Sequence, residues 1–209
     1  MNDRNRQHAS RTSFGMQGLT VVDRFGTWLS RRAILREMGT ARGFTVMELG
    51  CGFAARNLLA IEEQASRLVA IDFSLSDELK SRPKFEALEL PAIPALERLA
   101  GTSFDLILLI SVLEHLADPL QVLLRCRELL KPGGKILINV PTWRGKIFLE
   151  FSAFRLGWSP KTEMDDHKMY YDKRDLWPLL TAAHFLPSHI RLRYHKCGLN
   201  LFAVVSREH

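Results

Sequence analysis

Cysteine is scarce in this 209-residue chain, and what it lacks narrows the chemistry before any motif is read. The three cysteines, Cys51, Cys126 and Cys197, are odd in number and far apart, which excludes a disulfide framework and any pair at metal-ligand spacing; no metal is expected, and a reducing compartment fits best. Long apolar runs are missing too. The longest, Leu106 to Leu113 with only Ser111 interrupting, is far too short to span a bilayer. The first ten residues, MNDRNRQHAS, are polar with no apolar stretch behind them, so the expected location is cytosolic. There is no internal repeat and no low-complexity segment. Charge is unbalanced but not clustered: 29 Lys and Arg against 23 Asp and Glu give +6. Scattered Arg of this kind suits a solvated face, and leaves open an acidic substrate, a peripheral contact with an anionic membrane surface, or nucleic acid.

What is present reads as one α/β unit. Residues 1–13 are polar and aperiodic, a mobile tail by composition. From Val21 to Met38 apolar residues recur at helical spacing, predicting an amphipathic helix packed on the main body, with a membrane-surface helix as the lesser alternative. Short β-type runs follow at 45–49, 68–72, 104–110 and 135–140, with helical patterns at 55–66 and 119–130 between them. Strand and helix alternating at this interval predict a parallel sheet with right-handed crossovers. Lys131-Pro132-Gly133-Gly134 reads as a helix stop. A helix at 175–185 and two strands at 190–194 and 199–206, joined by a Cys197-Gly198 turn, predict a closing antiparallel pair.

The stretch "VMELGCGFAA", Val46 to Ala55, places an acid and two glycines at the end of a buried strand. Ligands of open α/β sheets sit at the carboxyl ends of strands, and glycine there lets a ligand approach backbone that a side chain would shield. The dinucleotide pattern G-x-G-x-x-G is not met, because Ala55 stands at its sixth place. Glu48 would also set a negative charge against a pyrophosphate, so a cationic ligand is favoured. Asp72, twenty residues after Gly52, closes the second predicted strand, where a carboxylate can accept both hydroxyls of a ribose. A ribose, a positive centre and no phosphate describe S-adenosylmethionine (SAM).

"VMELGCGFA", "LVAIDFS", "FDLILLISVLEHLADP" and "LLKPGGKILINVP" occur in an order and spacing that resemble the class I SAM-dependent methyltransferases, in particular the broad small-molecule, methyltransferase type 11-like group; the resemblance covers Phe44 to Val205. It implies a Rossmann-like, seven-stranded, mostly parallel sheet with helices on both faces and an antiparallel last strand. It implies two parts, residues 1–40 as tail and cap helix and residues 41–209 as the methyltransferase domain, with a lid-like insertion at 142–170. The cofactor is expected to be SAM, leaving as S-adenosylhomocysteine (SAH). By the same resemblance Glu48, Gly50, Cys51 and Gly52 line the methionine and ribose end, Asp72 holds the ribose, Phe73 packs against adenine, Glu89 is the nearest acid for the adenine amino group, and Ile110 and Ser111 lie near the transferable methyl. The family usually has a third glycine where Ala54 stands, so the backbone there is expected to avoid positive φ.

Methyl transfer from a sulfonium is an in-line displacement, helped by a base when the nucleophile is a hydroxyl. His115 in "VLEHLADP" and His167 in "EMDDHKMYY", with Asp166 and Asp165 beside it, are the candidate bases; the competing accounts are a structural turn residue and helix-capping acids. Tyr170 and Tyr171 are candidate substrate contacts or packing. In the aromatic segment 142–160, Phe148, Phe151 and Phe154 keep helical spacing and read as packing, while Trp143 and Trp158 are the better substrate contacts and Arg144, Lys146 and Arg155 suit an acidic acceptor or solvent. The leading expectation is methyl transfer to a hydroxyl of a small or carrier-linked acceptor of sugar, glycan or lipid type. An RNA or DNA methyltransferase lacks support from any N/D-P-P-Y-type motif or separate RNA-binding module. A SAM-binding regulator without activity and an NAD oxidoreductase are the other readings, the last opposed by Glu48 and the glycine spacing.

Overall fold

The computed structural model describes residues 13–15, 21–151 and 168–208. The first helix, α1, runs Val21–Met38; then come β1 (Phe44–Leu49), α2 (Arg56–Ala60), β2 (Ala65–Asp72), α3 (Asp77–Lys80), β3 (Phe85–Glu89), α4 (Ala92–Arg98), β4 (Phe104–Ile110), α5 (Pro119–Glu128), β5 (Leu130–Pro141), α6 (Trp143–Phe151), α7 (Lys173–Ala182), β6 (Ile190–His195) and β7 (Asn200–Ser206). These strands form one seven-stranded sheet in the order β3-β2-β1-β4-β5-β7-β6. The pairs β1–β2, β1–β4, β2–β3 and β4–β5 are parallel, whereas β7 is antiparallel to both β5 and β6. The chain therefore has the Rossmann-like mixed sheet that the resemblance implies.

Strands covered on both faces read as continuous apolar runs, which is what β4, FDLILLI, shows. Its single acid, Asp105, is answered by the Thr45 N–H (2.8 Å) and Lys131 Nζ (2.7 Å). One face of the sheet packs against α4, α5 and α7 through Leu96, Leu123 and Leu180. The other packs against α1, α2 and α3 through Ile34, Leu58 and Leu79. Asp118 caps α5 by accepting from the Gln121 N–H at 3.0 Å, with Pro119 at the first helical position, where its missing N–H costs nothing. The outer face of α1 keeps Phe25 and Trp28 exposed, at 60% and 46%, their rings stacked 5.8 Å apart. No helix among the described residues is long and apolar enough to cross a membrane.

Two expectations are corrected. The helix expected over 55–66 is only Arg56–Ala60, because i→i−3 bonds (Ile61 N–H to Leu58, Glu62 N–H to Leu59, Gln64 N–H to Ile61) tighten the chain into a turn that starts β2 at Ala65 beside Phe44. Lys131 to Gly134 is not a spacer after a helix but lies inside β5 as an irregularity: Leu130 pairs with Phe104, and the next pair is Lys135 with Leu106. Gly134 is required there, since a Cβ would sit 2.9 Å from the Lys131 carbonyl oxygen and 3.0 Å from that of Phe104.

Candidate active site

β1, β2, β3, β4 and β5 all end at one edge of the sheet, and the loops leaving them build the site. After Leu49 the chain must turn at once, and the N–H groups of Gly50 and Cys51 both donate to the Ile71 carbonyl of the neighbouring strand (2.8 and 3.1 Å). Gly50 has φ +67°, and a Cβ would meet Val112 Cγ2 at 2.6 Å, so neither its conformation nor its surroundings admit a side chain. Gly52, at φ +73°, turns its N–H onto Asp72 Oδ2 at 2.8 Å. Ala54 is not among the residues with positive φ, as expected; the left-handed residue is Ala55 (φ 41°), which starts α2. Cys51 is buried, and burial with the nearby carboxylates Glu48 and Asp72 pushes its thiol well up, so it packs rather than attacks.

Asp72 is the hub. Its Oδ1 accepts the Phe73 N–H (2.8 Å) and the hydroxyl of Ser13 (2.5 Å), while Ser13 Oγ in turn accepts the Ser74 N–H at 2.8 Å. The Phe14 carbonyl accepts the Phe53 N–H at 2.9 Å and lies where a Cβ on Gly52 would come within 2.9 Å of it. The turn Ser13–Gly15 thus lies on the glycine turn with a hydroxyl against the carboxylate. No sequence signal pointed to it, because Ser13 belongs to a stretch without periodicity. Phe73 is exposed beside Asp72. Glu89 is the register partner of Asp72 across the β2–β3 pair, but its Oε1 accepts the Leu75 N–H (2.8 Å) and pairs with Lys80 (3.0 Å), and these hold its carboxyl below the usual range.

Glu48 departs from the expectation of a free negative charge. It is 1% exposed beneath α2; Oε1 accepts from Asn57 Nδ2 at 2.6 Å and Oε2 has no partner. Burial raises its pKa to about 8, with Asp72 adding to the rise and Asn57 and Arg31 opposing it. At neutral pH it holds a proton in this state. Asn57, nine residues on, is its orienting partner, and the only sequence signal was a polar residue in an otherwise apolar turn of helix. Arg31 on α1 is half-buried, with its Nε unpartnered.

Ile110 closes β4, and Ser111 follows at φ +57° with its N–H on the Asn139 carbonyl (2.8 Å). His115 ends the 3-10 turn Leu113–His115, half-buried, with its N–H on the Val112 carbonyl (3.0 Å). Its neighbour Glu114 is buried, and burial raises its pKa to about 8. Sequence reasoning missed it, since an acid beside an apolar turn reads as exposed. His167, Asp166 and Asp165 lie outside the described residues, as do Phe154, Arg155 and Trp158, and the side chains of Phe148 and Phe151. The next residue, Lys168, has its N–H on the Glu114 carbonyl at 2.8 Å. Tyr170 and Tyr171 are both buried: the first packs on Trp143 (centroids 5.5 Å), and the second donates its hydroxyl to the Leu113 carbonyl at 3.4 Å, so packing accounts for them. Trp143 stays exposed, with Lys146 over its ring at 5.8 Å.

Residues 47–136, the stretch that carries the glycine turn, Asp72, Glu89 and Ser111, match the family described as methyltransferase domain. The matched stretch and the relatives support a class I SAM-dependent methyltransferase. Among curated proteins this chain is similar to a ubiquinone biosynthesis O-methyltransferase of Idiomarina loihiensis, 28% identical over 68% of this chain and 61% of the relative. A ubiquinone biosynthesis O-methyltransferase of Cereibacter sphaeroides is 37% identical over 40% of this chain and 35% of its own length. The chain thus spans less than two thirds of these relatives. In fold it is similar to the 1,6-didemethyltoxoflavin-N1-methyltransferase of Burkholderia thailandensis, solved with 1,6-didemethyltoxoflavin and SAH, at TM-score 0.64 and 17% identity, covering 100% of this chain and 92% of that one.

Proposed function

We propose that this methyltransferase domain binds SAM at the ends of β1 and β2 and transfers its methyl group to a hydroxyl oxygen of a small or carrier-linked acceptor of sugar, glycan or lipid type. The observation that carries the reading is Asp72: a strand-end carboxylate braced by the Gly52 and Phe73 N–H groups and already accepting a hydroxyl, that of Ser13. A ribose offers two hydroxyls of the same chemistry, so Ser13 stands where the ribose would bind and must give way to it. Gly52 is covered by Phe14 of the same turn that must give way, and its backbone is bare of side chain once that turn moves; Glu48 Oε2, buried without a partner, suits the cationic end of the methionine moiety. Arg31, within Coulomb range of Glu48, suits its carboxylate. Phe73, exposed beside Asp72, is an apolar face for the adenine.

Bound SAM supplies an electrophilic methyl on sulfur. The chain contributes orientation: Ile110 and Ser111 form the floor beside that methyl, and α1 and α6 flank the acceptor side. His167, with Asp166 to orient it, is assigned as the base that takes the acceptor's proton, and His115 as the alternative. Lys168, tied to the Glu114 carbonyl, brings the chain back to the turn that holds His115. The names of the curated relatives favour oxygen as the methylated atom.

The test is a screen for SAM-to-SAH turnover with catechol, sugar and lipid-linked acceptors. His167→Ala should keep SAH binding and lower turnover about 10² to 10⁴-fold, the usual contribution of a general base. Full activity in that variant removes His167 from the mechanism. SAH binding without turnover on any acceptor would support a SAM-binding regulator instead.

A further inference from the structure

The acceptor side of the edge holds polar groups that nothing in the fold satisfies. Asn139, on β5, is 0% exposed, and neither its Oδ1 nor its Nδ2 has a hydrogen-bond partner. Its place is informative. In register it pairs with Ile110 on one side and Phe202 on the other, and its own carbonyl accepts the Ser111 N–H, so it is one strand, about 4.8 Å, from the residues next to the methyl. His195, at the end of β6, packs on the same Phe202 with centroids 5.6 Å apart. Its ring lies by the Leu29 backbone of α1, and its buried Nε2 has no partner.

Buried polar atoms are normally paired, and a buried amide with both ends unmet is rarer than a single orphan. Glu48 has an orphan oxygen as well, but it sits one pleat deeper on β1 and is accounted for by the cofactor site. Asn139 and His195 are on the other side of Ile110, away from that site.

We propose that Asn139 and His195 form the acceptor's polar subsite, in which the amide of Asn139 and Nε2 of His195 hydrogen-bond hydroxyl groups of an uncharged polyhydroxyl or catechol-type acceptor across the Phe202 ring. The amide donates and accepts, and Nε2 of the neutral imidazole offers one further hydrogen-bonding position, so the pair suits hydroxyl groups, which do both. Burial and the cations Lys196 and Arg193 hold the imidazole near pKa 4, so it is neutral at physiological pH and positions the acceptor rather than taking its proton. Arg193, whose guanidinium lies over the Phe202 ring at 4.8 Å, is paired with Glu37 at 3.6 Å. The proposal rests on the assignment of this edge as a methyl-transfer site.

The experiment titrates 4-methylcatechol into the SAH-loaded chain, alongside Asn139→Leu and His195→Phe, with SAH affinity and unliganded melting temperature measured on each. The expected result is catechol binding weakened about 10-fold or more in each variant at unchanged SAH affinity, with Asn139→Leu melting about 2–4 °C higher because an unmet amide has been replaced by an apolar group of similar shape. Equal catechol affinity in the variants, or no catechol binding by the SAH-loaded wild type, overturns the subsite and leaves the cofactor reading standing. A lower melting temperature for Asn139→Leu also overturns it, by showing that the amide serves the fold through a bridging water; this readout needs no ligand. Absence of SAH binding by the wild type strikes the methyltransferase reading itself.

Discussion

The two halves of the sheet edge are finished to different degrees. On the β3-β2-β1 side the acids that end the strands are already engaged, although Glu48, deeper on β1, keeps Oε2 unpartnered: Asp72 holds the Gly52 and Phe73 N–H groups, and Glu89 holds the Leu75 N–H and Lys80. On the β5-β7-β6 side Asn139 and His195 keep buried atoms without partners. The contrast fits a site whose first ligand is invariant in chemistry and can be prepared for by the backbone, and whose second ligand must complete the hydrogen bonding itself.

The strongest way to break the contrast is Asp72→Ala. It removes the hydroxyl-accepting carboxylate and should weaken SAM binding by about 100-fold or more, the worth of two hydrogen bonds to a charged group, while leaving catechol affinity at saturating SAH nearly unchanged; calorimetry with each ligand checks it. Gly50→Ala comes next. Its new Cβ would collide with Val112 while the backbone is held at positive φ, so a loss of about 2–4 kcal/mol in urea unfolding is expected, felt on the cofactor side first.

Glu48→Gln sharpens the electrostatic part. The folded pKa, about 8, lies above the usual carboxylate value, so as pH rises from about 4.5 to 8 the unfolded chain gives up a proton that the folded chain keeps, and stability falls across that window. Glu114 contributes a slope of the same sign. Glu48→Gln should make the decline shallower, and should cost about 10-fold in SAM affinity if the cationic end of the cofactor draws the proton off Glu48. A binding enthalpy that depends on buffer ionisation near pH 7 in the wild type and less so in the variant would show that proton leaving.

The smallest effect is expected of Ser13→Ala. Deleting one hydroxyl from Asp72 removes a competitor for the ribose, so SAM affinity should rise about 2 to 5-fold, the worth of one net hydrogen bond. No change would show that Ser13 and the ribose share Asp72 instead of competing for it.

Much of the glycine-turn half was legible because its determinants are local. A strand ending in an acid and followed by glycines specifies its own turn, and the second acid follows after one crossover. The protonation of Glu48 was not legible, since the same letter describes an exposed carboxylate and one sealed beneath Asn57 and α2. Nor was Ser13, which meets Asp72 across 59 residues. Lys131 to Gly134 was read as a stop because proline and glycine punctuate; that the segment bulges within β5 depends on Phe104 of β4 and on Arg207 just past β7.

By itself the sequence determined the order of strands and helices, the glycine turn after β1 and the acid that ends β2, because periodicity, backbone stereochemistry and short motifs act over a few residues. The tertiary structure alone decided which polar groups are left without partners and which carboxylates lose their charge, because desolvation and hydrogen-bond satisfaction depend on what distant segments bring to cover a group.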